Sequence, residues 1–440
     1  MTDAVTSTAD RAAARPTPVV EPLAQKLAAQ AHGLAEQTAT SSDALSAWRQ
    51  AALAQLTRLP FPSKKTEQWK YTSLMALDAD HLATQAPDQA NAPALPEPLA
   101  PWRLVLINGR FHADLSQLPP QGVSLTRLDG SAEAPLSIAE DALRTPFAWL
   151  NSAALQDGLL LTVADGVALD APIEVLLLGS ADVASHCHTR LRLQLGAGSR
   201  ATLIERYVGQ GPVLTNAVTE ITTGENSDLV HYRLQAEAAD TLHIGSLILA
   251  PGRDSRATSF QLMQGNALRR NDVRVLMTHS GASASLNGIF VGRGSTHTDN
   301  QVCIEHRVPH AFSDQLFKGM AGDKARLVFN GRIHIFAGAK GTNAELSNKN
   351  LLLSPGAEVD TKPELEIYND DVKCSHGTTC GQLDAQALFY LRSRGIAEPA
   401  AKRMLAFGFV NELLSALPDE AVVEWARPWL ERALTEAAHA

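Results

Sequence analysis

The chain has 440 residues, 45% hydrophobic and 19% charged, with 38 basic against 47 acidic residues and a net charge of −9. That length exceeds one ordinary compact core and suits two or three units, and the acidic balance argues against a nucleic-acid partner. Four cysteines, Cys187, Cys303, Cys374 and Cys380, are too few for a disulfide scaffold. With no apolar signal-peptide core and no run of about 18 apolar residues, the expected setting is cytoplasmic and reducing, with no membrane.

Residues 1–24 are small, polar and proline-containing and read as a flexible tail. Residues 25–101 read as an N-terminal helical region and linker. Ser42-Asp43 opens a helix in which Leu45, Trp48, Ala52, Leu53 and Leu56 recur at helical spacing, and residues 84–101, rich in Ala, Pro and Gln, form the linker.

From Trp102 the period changes, and residues 102–380 read as a β region. Short β-type runs follow one another, among them Leu159–Val163, Ile173–Leu178, Asp228–Gln235, Ala325–Phe329 and Arg332–Phe336, punctuated by Gly, Asn, Asp or Ser. Such a series suits a sandwich, a barrel or a β-solenoid. Its length and its one-sided apolar strands favour the solenoid, although no strict repeat is visible. Residues 381–440 read as a C-terminal helical domain: Leu383 to Arg394 stopped by Gly395, a second helix from Glu398-Pro399, and a third from Pro418-Asp419.

The chain lacks the phosphate-cradling loop of nucleotide enzymes, a nucleophile elbow and a zinc-protease motif. Its cysteines do not have ferredoxin spacing. The densest metal-competent cluster is Cys374-Ser375-His376. In a strand, positions i and i+2 share a face, so a thiolate and an imidazole can reach one iron; the plainer alternative is a buried cysteine beside a hydrogen-bonded histidine. His186 and His188 share a strand face and read as solvated. His306 and His310 read as polar loop histidines, and Cys303 as a packed strand residue. The acidic stretch Asp360, Glu364, Glu366, Asp370, Asp371 reads as a solvated strand face rather than a hydrolytic pair.

Lys362-Pro363-Glu364-Leu365-Glu366-Ile367-Tyr368-Asn369-Asp370-Asp371-Val372-Lys373-Cys374-Ser375-His376-Gly377 resembles the signature of the SufB/SufD family of iron–sulfur cluster assembly scaffolds. Leu388-Phe389-Tyr390-Leu391-Arg392-Ser393-Arg394-Gly395-Ile396, Phe329-Asn330-Gly331-Arg332-Ile333 and Asn350–Ser354 match as well. Lys64-Lys65-Thr66-Glu67-Gln68-Trp69-Lys70-Tyr71-Thr72 resembles the N-terminal motif of the SufD branch of that family rather than the longer, more cysteine-rich SufB branch.

The resemblance implies a mainly β fold, a right-handed parallel β-helix flanked by N- and C-terminal helical regions. It implies a non-catalytic scaffold that pairs with SufB through the β-helix and binds the ATPase SufC, with homodimerisation in isolation left open. A transient iron–sulfur cluster would be shared with SufB and passed to apo-proteins. His376 is the candidate ligand from this chain and Cys374 its less secure neighbour. Phe389, Leu405 and Phe409 mark the helical surface expected to face SufC, with the rest of the apolar C-terminal surface capping the β-helix end. Competing readings are a SufB-type paralogue, a β-helix carbohydrate-active enzyme, against which the 5% aromatic content argues, and a cupin-like metalloenzyme, for which no convincing ligand spacing exists.

Overall fold

A computed structural model describes residues 22–39, 44–77, 80–88, 94–131 and 145–435. The helix start at Ser42-Asp43 and most of the expected tail lie outside the described residues. Pro22, Leu23 and Ala24, read as tail, instead open the first helix, because Ala24 and Leu27 are buried against the domain.

The N-terminal region holds α1 (Pro22–Ala39), α2 (Ser46–Leu56) and α3 (Asp80–Ala83). Strands β1 (Trp102–Ile107), β2 (Arg110–Phe111) and β3 (Val123–Arg127) precede α4 (Pro146–Ala153). The main series is β4 (Leu159–Val163), β5 (Ile173–Ser180), β6 (Ser185–Leu195), β7 (Arg200–Gln210), β8 (Val213–Thr223), β9 (Asp228–Gln235), β10 (Leu242–Ala250) and β11 (Arg256–Gln264). It continues through β12 (Leu268–Met277), β13 (Ser283–Gly292), β14 (His297–His306), β15 (Phe312–Ala321), β16 (Arg326–Ile335), β17 (Thr342–Leu352), β18 (Glu358–Ile367) and β19 (Val372–Gln382). The chain closes with α5 (Ala385–Ser393), α6 (Glu398–Ser415) and α7 (Glu420–Thr435).

Even-numbered strands from β4 to β18 stack into one sheet, ending at β18; odd-numbered strands from β5 to β19 stack into a second, ending at β19. All pairings in the main series are parallel, whereas β1–β2 and β3–β4 are antiparallel. The result is a parallel β-solenoid of about eight turns, as expected from the sequence. Coils differ in length: Arg256 pairs with Ser283, 27 residues on, and Phe312 with Asn343, 31 residues on. That variation erases a strict repeat from the sequence while leaving the register intact.

Asn330-Gly331, read as a break between two strands, lies inside β16. A Cβ at Gly331 would stand 2.3 Å from Leu346, so glycine is required there by stacked inward side chains rather than by a turn. The true corners carry left-handed residues such as Gly198, Asn226 and Asp254, which suit that conformation.

Inward positions of both sheets build one core, for example Leu286, Phe290, Val302, Phe317 and Phe329. Two further layers cover the outer faces. Residues of α1, α2 and α4 pack on Leu214, Val218, Ile244 and Ile248 of the even sheet. Residues of α6 and α7, including Val410, Leu414, Val422 and Leu430, pack on Ile204, Leu234, Phe260 and Ile289 of the odd sheet. Each such fully buried side chain contributes about 1.5–3 kcal/mol. The C-terminal helices therefore cover a face, not the solenoid end, contrary to the capping expected from the sequence. The last coil stays open, and β18 and β19 hold only exposed or half-buried residues.

Mid-solenoid, the interior turns polar. Glu205 accepts hydrogen bonds from Tyr207 at 2.9 Å and Thr219 at 3.0 Å and meets His231 Nε2 at 3.0 Å. Glu237 meets His243 Nδ1 at 2.9 Å and accepts from Arg269 Nη1 at 2.8 Å. Burial pushes both carboxyls up, but Arg233 and His231 around Glu205, and His243 and Arg269 around Glu237, outweigh it and hold each at about 2.

Candidate functional site

The open coil is where the chemistry-bearing motif lies. Parallel pairing sets Ala344 beside Cys374 and Leu346 beside His376. Alternation puts Val372, Cys374, His376, Thr378 and Cys380 on one face of β19. Val372 and Cys374 still touch the inner core, so this face is the inward one. Beyond Cys374 no further coil covers it: His376 and Cys380 are exposed and Thr378 is half-buried. Burial raises both the Cys374 and Cys380 thiols. Nearby, Ile367 and Tyr368 expose apolar surface at the corner between β18 and β19.

Cys374 and His376 are thus brought to one accessible face at an i, i+2 spacing. Among the described residues, no group of three or more His, Cys, Asp or Glu side chains is placed to hold a metal ion. Two donors on an open edge do not by themselves close a metal's coordination sphere.

The other candidates separate cleanly. His186 is buried, not solvated: its Nδ1 lies 3.0 Å from the carbonyl of His81, and burial lowers its pKa. His188 is half-buried with its ring 5.1 Å from that of His186. His306 is a buried strand-end residue bonded to Ser313 at 2.9 Å, not a loop residue, whereas His310 occupies a left-handed corner. Cys303 faces outward on β14 rather than into the core. Acidic residues of β18 are matched by bases: Asp360 by Arg326 at 2.7 Å, Glu366 by Arg332 at 3.2 Å, and Glu364 by Lys362.

On the C-terminal helices the three expected surface residues diverge. Phe389 is 73% exposed, with Tyr390 and Met404 also open to solvent. Leu405 is half-buried. Phe409 packs toward the solenoid, its ring 5.3 Å from the Lys318 ammonium, which also bonds Glu412 at 2.7 Å.

Sequence reasoning missed a groove of about 630 Å³ on the outer face of the even sheet, with Asp272, Arg274, Cys303 and Arg332 on its floor and Pro60 and Trp69 in its walls. It also missed that Glu67–Thr72 crosses that sheet. The register Arg274–Cys303–Arg332 follows from strand pairing, and only an outward alternation in 299–303 hinted at it.

No helix among the described residues is long and apolar enough to cross a membrane. Residues 177–409 match the family model for the SUF system FeS cluster assembly SufBD core domain, and residues 26–175 match that for the SufBD N-terminal region. The chain is 33% identical over 380 residues to the iron–sulfur cluster assembly protein SufD of Escherichia coli (strain K12), covering 84% of this chain and 88% of that one. It is 31% identical over 396 residues to an iron–sulfur cluster assembly SufBD family protein of Synechocystis, covering 84% and 87%. It is 26% identical over 431 residues to the chloroplastic protein ABCI7 of Arabidopsis thaliana, covering 92% and 90%. A parallel solenoid with half-buried Cys374 and exposed His376 on its last strand, in a chain that the two family models together match from residue 26 to residue 409, places the chain in the SufBD family of iron–sulfur cluster assembly proteins, as a member of SufD type.

Proposed function

We propose that this chain is a non-catalytic scaffold of a cytoplasmic SUF assembly complex, pairing with SufB and binding the ATPase SufC, so that an iron–sulfur cluster is built at the SufB–SufD-type interface and passed to apo-proteins. The observation that carries the reading is the open last coil, with unpaired β18 and β19 edges, half-buried Cys374 and exposed His376. Edge strands present a row of free backbone groups that recruit another strand. Pairing there joins ligands of a second chain to Cys374 and His376, so the cluster is transient and shared. SufC docks on the C-terminal helices through the exposed surface around Phe389, with Leu405 and Phe409 behind it. In isolation the same edges favour a homodimer.

The test is coexpression with SufB and SufC followed by native mass and by iron and sulfide content. His376→Ala is expected to leave the complex intact and lower cluster loading, with Cys374→Ala acting more weakly. Normal iron and sulfide in the His376→Ala complex would remove His376 from the site. Phe389→Asp should release SufC and keep SufB; losing SufB first would show that the two interfaces are exchanged.

A further inference from the structure

Segment 67–72 of the N-terminal region makes contacts that packing alone does not require. It runs across the outer face of the even sheet and meets four successive strands. On β12, the Arg270 guanidinium lies 3.9 Å above the Trp69 ring and Nη1 donates to the Gln68 carbonyl at 2.8 Å. On β14, the Thr72 hydroxyl donates to Asp299 and lies 2.9 Å from His297 Nε2. On β16, Arg326 lies 5.9 Å from the Tyr71 ring. On β18, Lys362 Nζ bonds Glu67 Oε1 at 2.8 Å and also holds Glu364.

The inner anchors are deep: Arg270, Asp299, Trp69 and Thr72 are all buried. The outer contact, Glu67–Lys362, is open to solvent. The segment is thus fixed over the middle of the sheet and reaches out to its last strand. β18 has a hydrogen-bonded neighbour on one side only, β16. An edge strand paired on one side frays and twists unless something restrains it.

We infer that residues 67–72 are a strut that holds β18 flat and in register, and so position the even-sheet edge for pairing with the paralogous chain. This rests on the edge-pairing reading above. It gives the Lys64–Thr72 motif a role in partner binding although it lies on the N-terminal region and touches no cluster ligand. Glu67, Trp69 and Thr72 are positioning residues acting through β18.

The experiment uses the full chain with SufB and SufC. Backbone hydrogen exchange over residues 358–367 is read in the free chain, and affinity for SufB and for SufC is read separately. Glu67→Lys places two ammonium groups together at an exposed site. It is expected to speed exchange across 358–367 and to weaken SufB binding by about two- to five-fold, the scale of an exposed pair. The double variant Glu67→Lys/Lys362→Gln removes the ammonium clash without setting a second carboxylate against Glu364 and should recover part of that loss, whereas a defect confined to residue 67 would persist. Trp69→Ala loosens the inner anchor and should weaken SufB binding by about ten-fold. SufC binding should stay at its wild-type value throughout.

Leu365→Pro, which blocks ladder hydrogen bonds in β18, serves as the control for the underlying reading. If it abolishes SufB binding while Glu67→Lys and Trp69→Ala leave exchange and affinity unchanged, the strut is overturned and edge pairing stands. If Leu365→Pro leaves SufB bound, edge pairing through β18 is wrong, and the strut falls with it.

Discussion

The middle coils and the last coil of the solenoid carry the same kinds of group on the same inward face and put them to opposite uses. In the middle, Glu205, His231, Glu237, His243 and Arg269 are enclosed, and each carboxylate is met by a base and further donors. Cys187 is enclosed too, and burial pushes its thiol to about 12. At the end, Cys374 and His376 occupy equivalent inward positions on β19, but no next coil encloses them. One more turn of solenoid would convert the candidate ligands into core. The open end is therefore what leaves the pair accessible; the residue types alone do not, since imidazole and thiol also occur where nothing can reach them.

The comparison breaks most visibly in stability. Glu237→Gln removes the partner of two buried bases, Arg269 and His243. A buried charge stripped of its partner costs about 3–5 kcal/mol, so the midpoint of chemical denaturation should fall accordingly. A loss below about 1 kcal/mol would mean that water already reaches this stretch and that the middle is not closed.

Acid should find the middle before the end. Glu205 and Glu237 have ordinary values near 4.5 when unfolded and about 2 when folded. As pH falls, the unfolded chain takes up their protons first, so the stability they provide is complete above pH 4.5 and is lost on descent toward 2. Burial also lowers His243 below its ordinary 6.5 and lowers His306 to about 4. These histidines bind protons in the unfolded chain first, which adds loss of the same sign from about pH 6.5 downward. A thermal-melt series from pH 7 to 3 should therefore show a continuous fall of a few kcal/mol. A flat profile would contradict the enclosed network.

How much of this was legible in the sequence follows from the same contrast. The helix boundaries at Gly395 and Glu398-Pro399 were readable because caps and breakers act locally. So was the solenoid class, from many short strands without helices between them. Strand lengths were not: β8, β11 and β15 mix polar and apolar residues on both faces, and both faces are largely buried, so period two loses its contrast. The inward glutamates and arginines were invisible for the same reason, because their partners come from neighbouring coils at variable spacing. Cys374 and His376 were legible as a pair since i, i+2 is a local relation. That they lie on the final coil depends on where the stack stops, and that the C-terminal helices cover a face and not the end depends on tertiary packing. Cys303 misled for want of strand register: Gln301–Ile304 looks like core either way, and a shift of one residue moves a side chain from inside to outside.

The smallest expected effect is the sharpest probe of the open end. His376 is exposed, touches no core cluster and stands where a further coil is absent, so His376→Ala should change unfolding free energy by no more than about 0.5 kcal/mol. Thiol labelling of the native chain should rank in parallel. Cys380 is exposed and reacts first, half-buried Cys374 follows, and Cys187 reacts only as the chain unfolds, because burial both denies access and withholds the thiolate. Adding SufB should slow labelling of Cys374 if the open coil is the pairing surface. A His376→Ala change of 2 kcal/mol, or Cys187 labelling at the rate of Cys380, would show that the end is enclosed and the middle open, and the contrast between the two stretches would be reversed.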